Sequence, residues 1–436
     1  MIKNNTYKLS KELFVPVLNY LKLQKYDQAL TLLDQLLKNK QDPDHINKIK
    51  AKIYLNKKDW NNCLLHYEKI SDSKKNFEDS NNKGVALFKL GRFSEAIVNF
   101  NDTIKLNKLY VPAYTNLSKT HKLLSNFELS IKYAINALAL APNNYNIQNS
   151  LFDILNYCSP KNKKNLILSI NDQILKLNKT ININLVKNSS ISEILNKSQI
   201  ILNENQKNLH FPETQILRKN KTNLNCQRHL EIFNKYKIIP NFCFGCYKVQ
   251  ITLDNVLNLI KLYFYFNDLS LEKNNIRKCM IEIRENVKGD YKGYIYTSSI
   301  DEAKNIMEIV NKGLLSQNIN FNKIEIKHGC TEYYDKYELY KNIHDDVKSK
   351  IYKDEWNKIE KEFDKDNLIY ENESEKVYTS TINKYNLTDF LIIKNWFSYA
   401  NLIGDKSYME IFDYEINTNY LSETQIKKII ARKKIN

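Results

Sequence analysis

Glycine is scarce in this chain, with only 8 in 436 residues, while lysine, asparagine and isoleucine are abundant throughout. That bias is what a strongly AT-rich coding sequence produces. The formal charge of +17 therefore carries half its usual weight as a signal for nucleic acid or an anionic surface. No apolar run approaches the ~20 residues of a membrane-spanning helix, and Met1, Ile2, Lys3, Asn4 and Asn5 lack the apolar stretch of a signal peptide. The expected compartment is the cytoplasm, with no membrane partner. The cysteines number 7, an odd count that in such a compartment argues for free thiols or metal ligands rather than a disulfide framework. Enzyme signatures are absent too: there is no P-loop, no G-x-G-x-x-G, no G-x-S-x-G and no H-E-x-x-H. Whether the chain is an enzyme stays open.

What is present is a repeat. Val17, Ala51, Gly84 and Ser118 form a small column at periods of 34, 33 and 34 residues. In the same register run a bulky column (Tyr20, Tyr54, Leu87, His121), an aromatic one (Tyr26, Trp60, Phe93, Phe127), a second small one (Ala29, Cys63, Ala96, Ser130) and a last one (Leu33, Tyr67, Phe100, Ala134). Small positions let two helices cross closely, and aromatics fill the space between pairs. The pattern resembles the tetratricopeptide repeat (TPR) from about residue 10 to about residue 176. The resemblance implies an α-solenoid that holds another protein.

Residues 143 to 176 read as a degenerate fifth repeat or cap, with Leu151, Ile154 and Leu155 on one helix face and Leu166, Ile170 and Ile174 on the next. The pattern then fades into Asn, Lys, Ser and Thr, so 177–225 is expected to be a linker holding one short helix. From 226 to 331 four β-rich runs alternate with two helical ones, in the order βαββαβ of a ferredoxin-like unit. Ser299 and Glu302 offer a capping box for the second helix, and Gly313 its stop. Residues 332–436 form a helical C-terminal extension, whose apolar segment around Phe390, Leu391, Ile392, Trp396 and Phe397 is expected to cover the open sheet face. The fold class is thus α + α/β, a TPR solenoid followed by a ferredoxin-like domain.

In that topology the start of the first strand and the end of the fourth share an edge. Cys226, His229, Cys243 and Cys246 make the pattern C-x2-H-x13-C-x2-C, two ligand pairs suited to one tetrahedral ion. Zinc is the leading cofactor, an iron-sulfur cluster is not excluded, and Cys330 and His328 are reserve ligands. A thiol redox pair and ordinary buried thiols remain as alternatives. On the other sheet face, Lys292-Gly293-Tyr294-Ile295-Tyr296 partly resembles the strand with which RNA-recognition motifs stack bases, which would make Tyr294 and Tyr296 stacking residues. Ile295 departs from that motif, and nucleic acid is disfavoured as a partner.

In the array, His45, Lys48, Lys52, Asn81, Lys89, Asn116, Lys119 and Lys122 are expected to line the groove, a basic, amide-bearing surface for a protein or acidic peptide. The resulting reading is a TPR adaptor that recruits a protein partner to a metal-stapled domain of unknown activity. The alternatives are a metal- or thiol-dependent enzyme whose array presents its substrate, and an RNA-binding module on the open sheet face.

Overall fold

The computed structural model describes residues 14–181, 186–205, 209–220, 224–285, 287–344, 346–367, 380–412 and 421–433. The chain divides into two compact units, 1–147 with 364–375, and 148–363 with 376–436.

The first unit is a run of antiparallel helix pairs. After a helical stretch over 14–22 (α1) come α2 (Tyr26–Lys38), α3 (Pro43–Lys57), α4 (Trp60–Glu68), α5 (Phe77–Lys89), α6 (Phe93–Leu106), α7 (Val111–Leu123) and α8 (Phe127–Leu140). Local chemistry starts them. The Asp42 carboxylate caps α3 through the Asp44 and His45 N–H groups, with Pro43 at the first position, and Asn76 with Asp79 closes a reciprocal capping box on α5. Small residues 12 apart mark where the two helices of a pair cross. Ser118 Oγ donates to Ser130 O at 2.9 Å while Ser130 Oγ donates to Ser118 O at 2.7 Å, so even the hydroxyls are satisfied across the crossing. At Gly84 an added Cβ would lie 2.6 Å from Phe100 Cε1. Glycine is required there by space, since its φ is not in the left-handed region.

The second unit is built round a five-stranded antiparallel sheet. It holds most of α9 (Tyr145–Leu155), then α10 (Leu166–Thr180), α11 (Asn188–Glu204), β1 (Gln215–Arg218), α12 (Cys226–Tyr236), β2 (Tyr247–Leu253), α13 (Val256–Asp268), β3 (Arg277–Ile281), β4 (Tyr291–Thr297), α14 (Ile300–Ser316) and β5 (Lys323–His328). After β5 come α15 (Val347–Ile351), α16 (Asp354–Asp366), α17 (Leu387–Ile403) and α18 (Glu423–Lys433). The strand order is β1-β3-β4-β2-β5. Val249, Ile251, Cys279 and Ile295 turn toward α13 and α14, and Gly293 lets Leu262 of α13 approach within 2.3 Å of where a Cβ would stand.

Several expectations are corrected here. Residues 177–225 are not a mere linker, since they supply α11 and the edge strand β1, which pairs Gln215–Arg218 with Arg277–Met280. The pair read as a repeat cap has its core in the second unit: Asn171 Oδ1 accepts the Leu387 N–H at 3.2 Å, and Thr388 Oγ1 donates to Phe152 O at 3.1 Å. The apolar segment α17 does not cover the open face. It packs against α13, β1 and β3 on the helical side and against α10 and α11, and all of 387–400 is buried. Arg218 of β1 and Asp389 of α17 meet at 2.6 Å, with Tyr263 of α13 donating to the same carboxylate oxygen at 2.8 Å. Gly313 is not a stop either. α14 runs on to Ser316, and the glycine makes room for the Tyr265 hydroxyl, which would sit 1.8 Å from an added Cβ. Among the described residues no helix is long and apolar enough to cross a membrane.

Replacing Gly84 with leucine forces the Phe100 ring out of its place. We expect a loss of about 1–3 kcal/mol in the unfolding of the first unit, measured by urea titration, with the second unit unaffected. Wild-type stability of that variant would refute the helix register given above.

Candidate functional site

Two regions draw together side chains with binding chemistry. In the array, the eight expected groove residues divide into those the fold uses and those it leaves exposed. Lys48 Nζ lies 2.6 Å from Asp79 Oδ2 and donates to Lys74 O at 2.5 Å, so it ties one repeat to the next. Asn81 is buried and accepts from Asn116 Nδ2 at 3.0 Å. Lys52 reaches Glu78 at 3.6 Å but stays 51% exposed. Lys89 and Lys119 are exposed, and Lys122 is half-buried. His45 is exposed and meets Phe14 edge-on, with ring centroids 4.7 Å apart. At this end of the array Phe14, Val15, Leu18, Tyr26, Ile49 and Ile53 line an apolar pocket of about 850 Å³, rimmed by His45 and Lys52.

In the second unit four cysteines from three segments gather beside the sheet edge. Cys226 opens α12, Cys243 lies in the 3-10 turn Asn241–Gly245, Cys246 leads into β2, and Cys330 follows β5. The Glu360 carboxylate holds the first two segments together, bonding Arg228 Nη1 at 3.1 Å and accepting the Asn241 N–H at 2.8 Å. The β2–β5 ladder, with Tyr247 opposite His328, is carried one step further by Gly329 N–H donating to Cys246 O at 2.8 Å. That step sets Cys330 beside Cys246. An added Cβ on Gly329 would stand 2.5 Å from Cys246 Sγ.

The sulfur atoms interact. The Cys243 thiol donates toward Cys330, which with burial raises its pKa well above the ordinary thiol value and lowers that of Cys330. Tyr333 Oη lies 3.4 Å from Cys243 Sγ. Burial, then the nearby Cys330, push Cys246 up to about 12; Cys226 is exposed as a residue, but the atoms crowding its sulfur and then Cys330 still raise it to about 11. Over these thiols stand two lysines of the sheet. Lys248 Nζ donates to Gly329 O at 2.9 Å and faces the Tyr294 ring at 5.1 Å, while Lys278 Nζ faces the same ring at 4.9 Å. Burial lowers Lys248 to about 8 and lowers Lys278 as well. Among the described residues neither lysine makes an ion pair, and no group of three or more His, Cys, Asp or Glu is arranged to hold a metal ion.

A sequence profile of the tetratricopeptide repeat matches residues 111–144, the stretch that holds the reciprocal Ser118 and Ser130 bonds. The chain carries a tetratricopeptide repeat. Solved structures similar to parts of it include the first TPR of Spaghetti (RPAP3) bound to the HSP90 peptide SRMEEVD, at 27% identity over 26% of this chain and 89% of that one, TM-score 0.25. The TPR2B domain of yeast Sti1 in complex with an Hsp70 peptide is 20% identical over 26% and 95%, TM-score 0.24. A thermophilic TPR protein of Thermus thermophilus is 17% identical over 46% and 93%, TM-score 0.28. No curated protein sequence matches the chain.

In the second unit of this TPR-containing chain the expected metal residues do not all come together. His229 stacks on Phe242 at 5.1 Å, turned to an aromatic neighbour, and His328 is sandwiched between Tyr247 at 4.8 Å and Tyr340 at 4.1 Å, with Nε2 bonded to Asn342 O at 3.0 Å. Cys330 stands where a histidine was expected. The stacking residue proposed for RNA, Tyr294, is 3% exposed beneath Lys248 and Lys278, and Tyr296 is half-buried, so neither offers an open ring face. Sequence reading missed Gly329, Tyr333 and the two lysines. Strand parity offered a signal for the first, because pairing Tyr247 with His328 places Cys246 opposite Gly329. Gly329→Val should displace the Cys246 sulfur and cost the second unit about 1–3 kcal/mol in a urea titration. No change would show that the contact between Gly329 and Cys246 is not needed.

Proposed function

We propose that the chain is a cytoplasmic adaptor whose repeat array holds an extended protein segment that carries an apolar anchor followed by acidic residues. The observation that carries this reading is the combination, on one run of helices, of an apolar pocket and exposed cations. The pocket accepts a side chain such as Leu, Met or Phe, and Val15 and Leu18 beside it are each 49% exposed. His45 and Lys52 at its rim, then Lys89 and Lys119 on later helices, offer the charge that an acidic segment lacks. Lys48 is excluded from this role by its bond to Asp79. The second unit supplies whatever the partner is brought to. Its β2–β5 core is read as ferredoxin-like, extended at one edge by β1.

A peptide display selection on the full chain tests the reading. Wild type should enrich acidic segments bearing one large apolar residue, and the triple reversal Lys52→Glu, Lys89→Glu, Lys119→Glu should lose that enrichment with unchanged helical circular dichroism. Enrichment of basic segments, or indifference to the reversal, contradicts the proposal.

A further inference from the structure

We propose that Cys226, Cys243, Cys246 and Cys330 form a tetrathiolate site for a thiophilic divalent cation, zinc foremost, which ties α12, the turn before β2 and the end of β5 into one body. The proposal is independent of the peptide-binding reading, since all four residues lie in the second unit.

The case begins with the turn. Cys243 and Cys246 flank a 3-10 turn in which Cys246 N–H donates to Cys243 O at 3.3 Å, so both side chains leave one tight bend. Two thiolates two residues apart can grip an ion from one such bend. The second pair comes from separate segments. Cys330 is set beside Cys246 by the extended β2–β5 ladder, and Cys226 by the Glu360 bridge to Arg228 and Asn241. Gly329 leaves the space that the Cys246 sulfur occupies. Tyr333 Oη, 3.4 Å from Cys243 Sγ, is a donor placed for a coordinated sulfur.

Charge supplies the second, independent argument. A buried lysine without a carboxylate in contact is costly, and here the buried Lys248 and the half-buried Lys278 flank the thiols. Four thiolates on a divalent cation leave a net charge of about −2, which the two ammonium groups offset. Glu332 acts on both lysines and Glu282 on Lys278, but by longer-range attraction rather than contact. A redox pair of Cys243 and Cys330 would use neither Cys226, Cys246 nor the lysines. Binding requires the sulfurs to draw in to roughly 2.3 Å from a common centre. All four sit at element ends or in a turn, where small backbone adjustments suffice. The cation displaces the remaining thiol protons to solvent, so no oxidant or reductant takes part.

The full chain, purified with a reductant and without chelator, should be titrated with Co²⁺. The expected result is the sulfur-to-cobalt charge-transfer band and the intense visible bands of a tetrahedral thiolate complex, saturating at about one equivalent and bleached by Zn²⁺. Cys330→Ser should lose that spectrum at equimolar metal, whereas His229→Ala and the control Cys158→Ser should retain it. Should Cys330→Ser fail to fold, the wild-type titration still decides. A wild-type chain that develops no thiolate spectrum overturns the proposal, as does a spectrum indifferent to Cys330→Ser and abolished by His229→Ala.

Discussion

The second unit depends on a buried ion pair between residues 171 positions apart. Arg218 and Asp389 are 5% and 1% exposed, and the pair joins an edge strand to a helix from near the other end of the chain. Arg218 Nε also bonds Asn267 Oδ1 at 3.0 Å, and Tyr263 donates to Asp389, so α13 is fastened to the same point. Taking either charge away leaves the other stranded in low dielectric, a loss of about 3–5 kcal/mol where such pairs have been broken. The pair therefore fixes the relative placement of β1, α13 and α17.

The array is readable from its residues because its constraint is local and repeated. Two small residues 12 apart recur in every pair, and at the tightest of these crossings, where Gly84 meets Phe100, the column holds a glycine. β1 leaves no such trace. It has four residues, ends in an arginine, and owes its place to Asp389, which no window of sequence can see. α17 misleads for the opposite reason. It is apolar on all sides, so periodicity does not say which face meets what, and its neighbours are α13, α10 and α11 in place of the open sheet face.

The same distinction separates the two sites. Along the array the candidate cations follow from register, but only the structure shows that Lys48 is engaged by Asp79, in the capping box of the next repeat, while Lys89 and Lys119 stay exposed. Around the thiols, the close pair Cys243 and Cys246 is visible by spacing. That Cys330 stands beside this pair while His229 stacks on Phe242 is not, because it depends on a ladder bond from Gly329 to Cys246 and on the placement of Phe242. In the sequence Lys248 and Lys278 are two more lysines in a lysine-rich chain. Their meeting over the Tyr294 ring is what gives them meaning.

α10 and α11 fold with the sheet, and not with the repeats that precede them in the chain. Native-state hydrogen exchange on the full chain tests it directly, because amides in one cooperative unit open with a common free energy. Amides of 166–180, 188–204 and 387–403 should exchange together with β2 and β4, at an opening energy distinct from that of 77–140. If 166–180 and 188–204 instead open with α5 to α8, the division of the molecule given above is wrong.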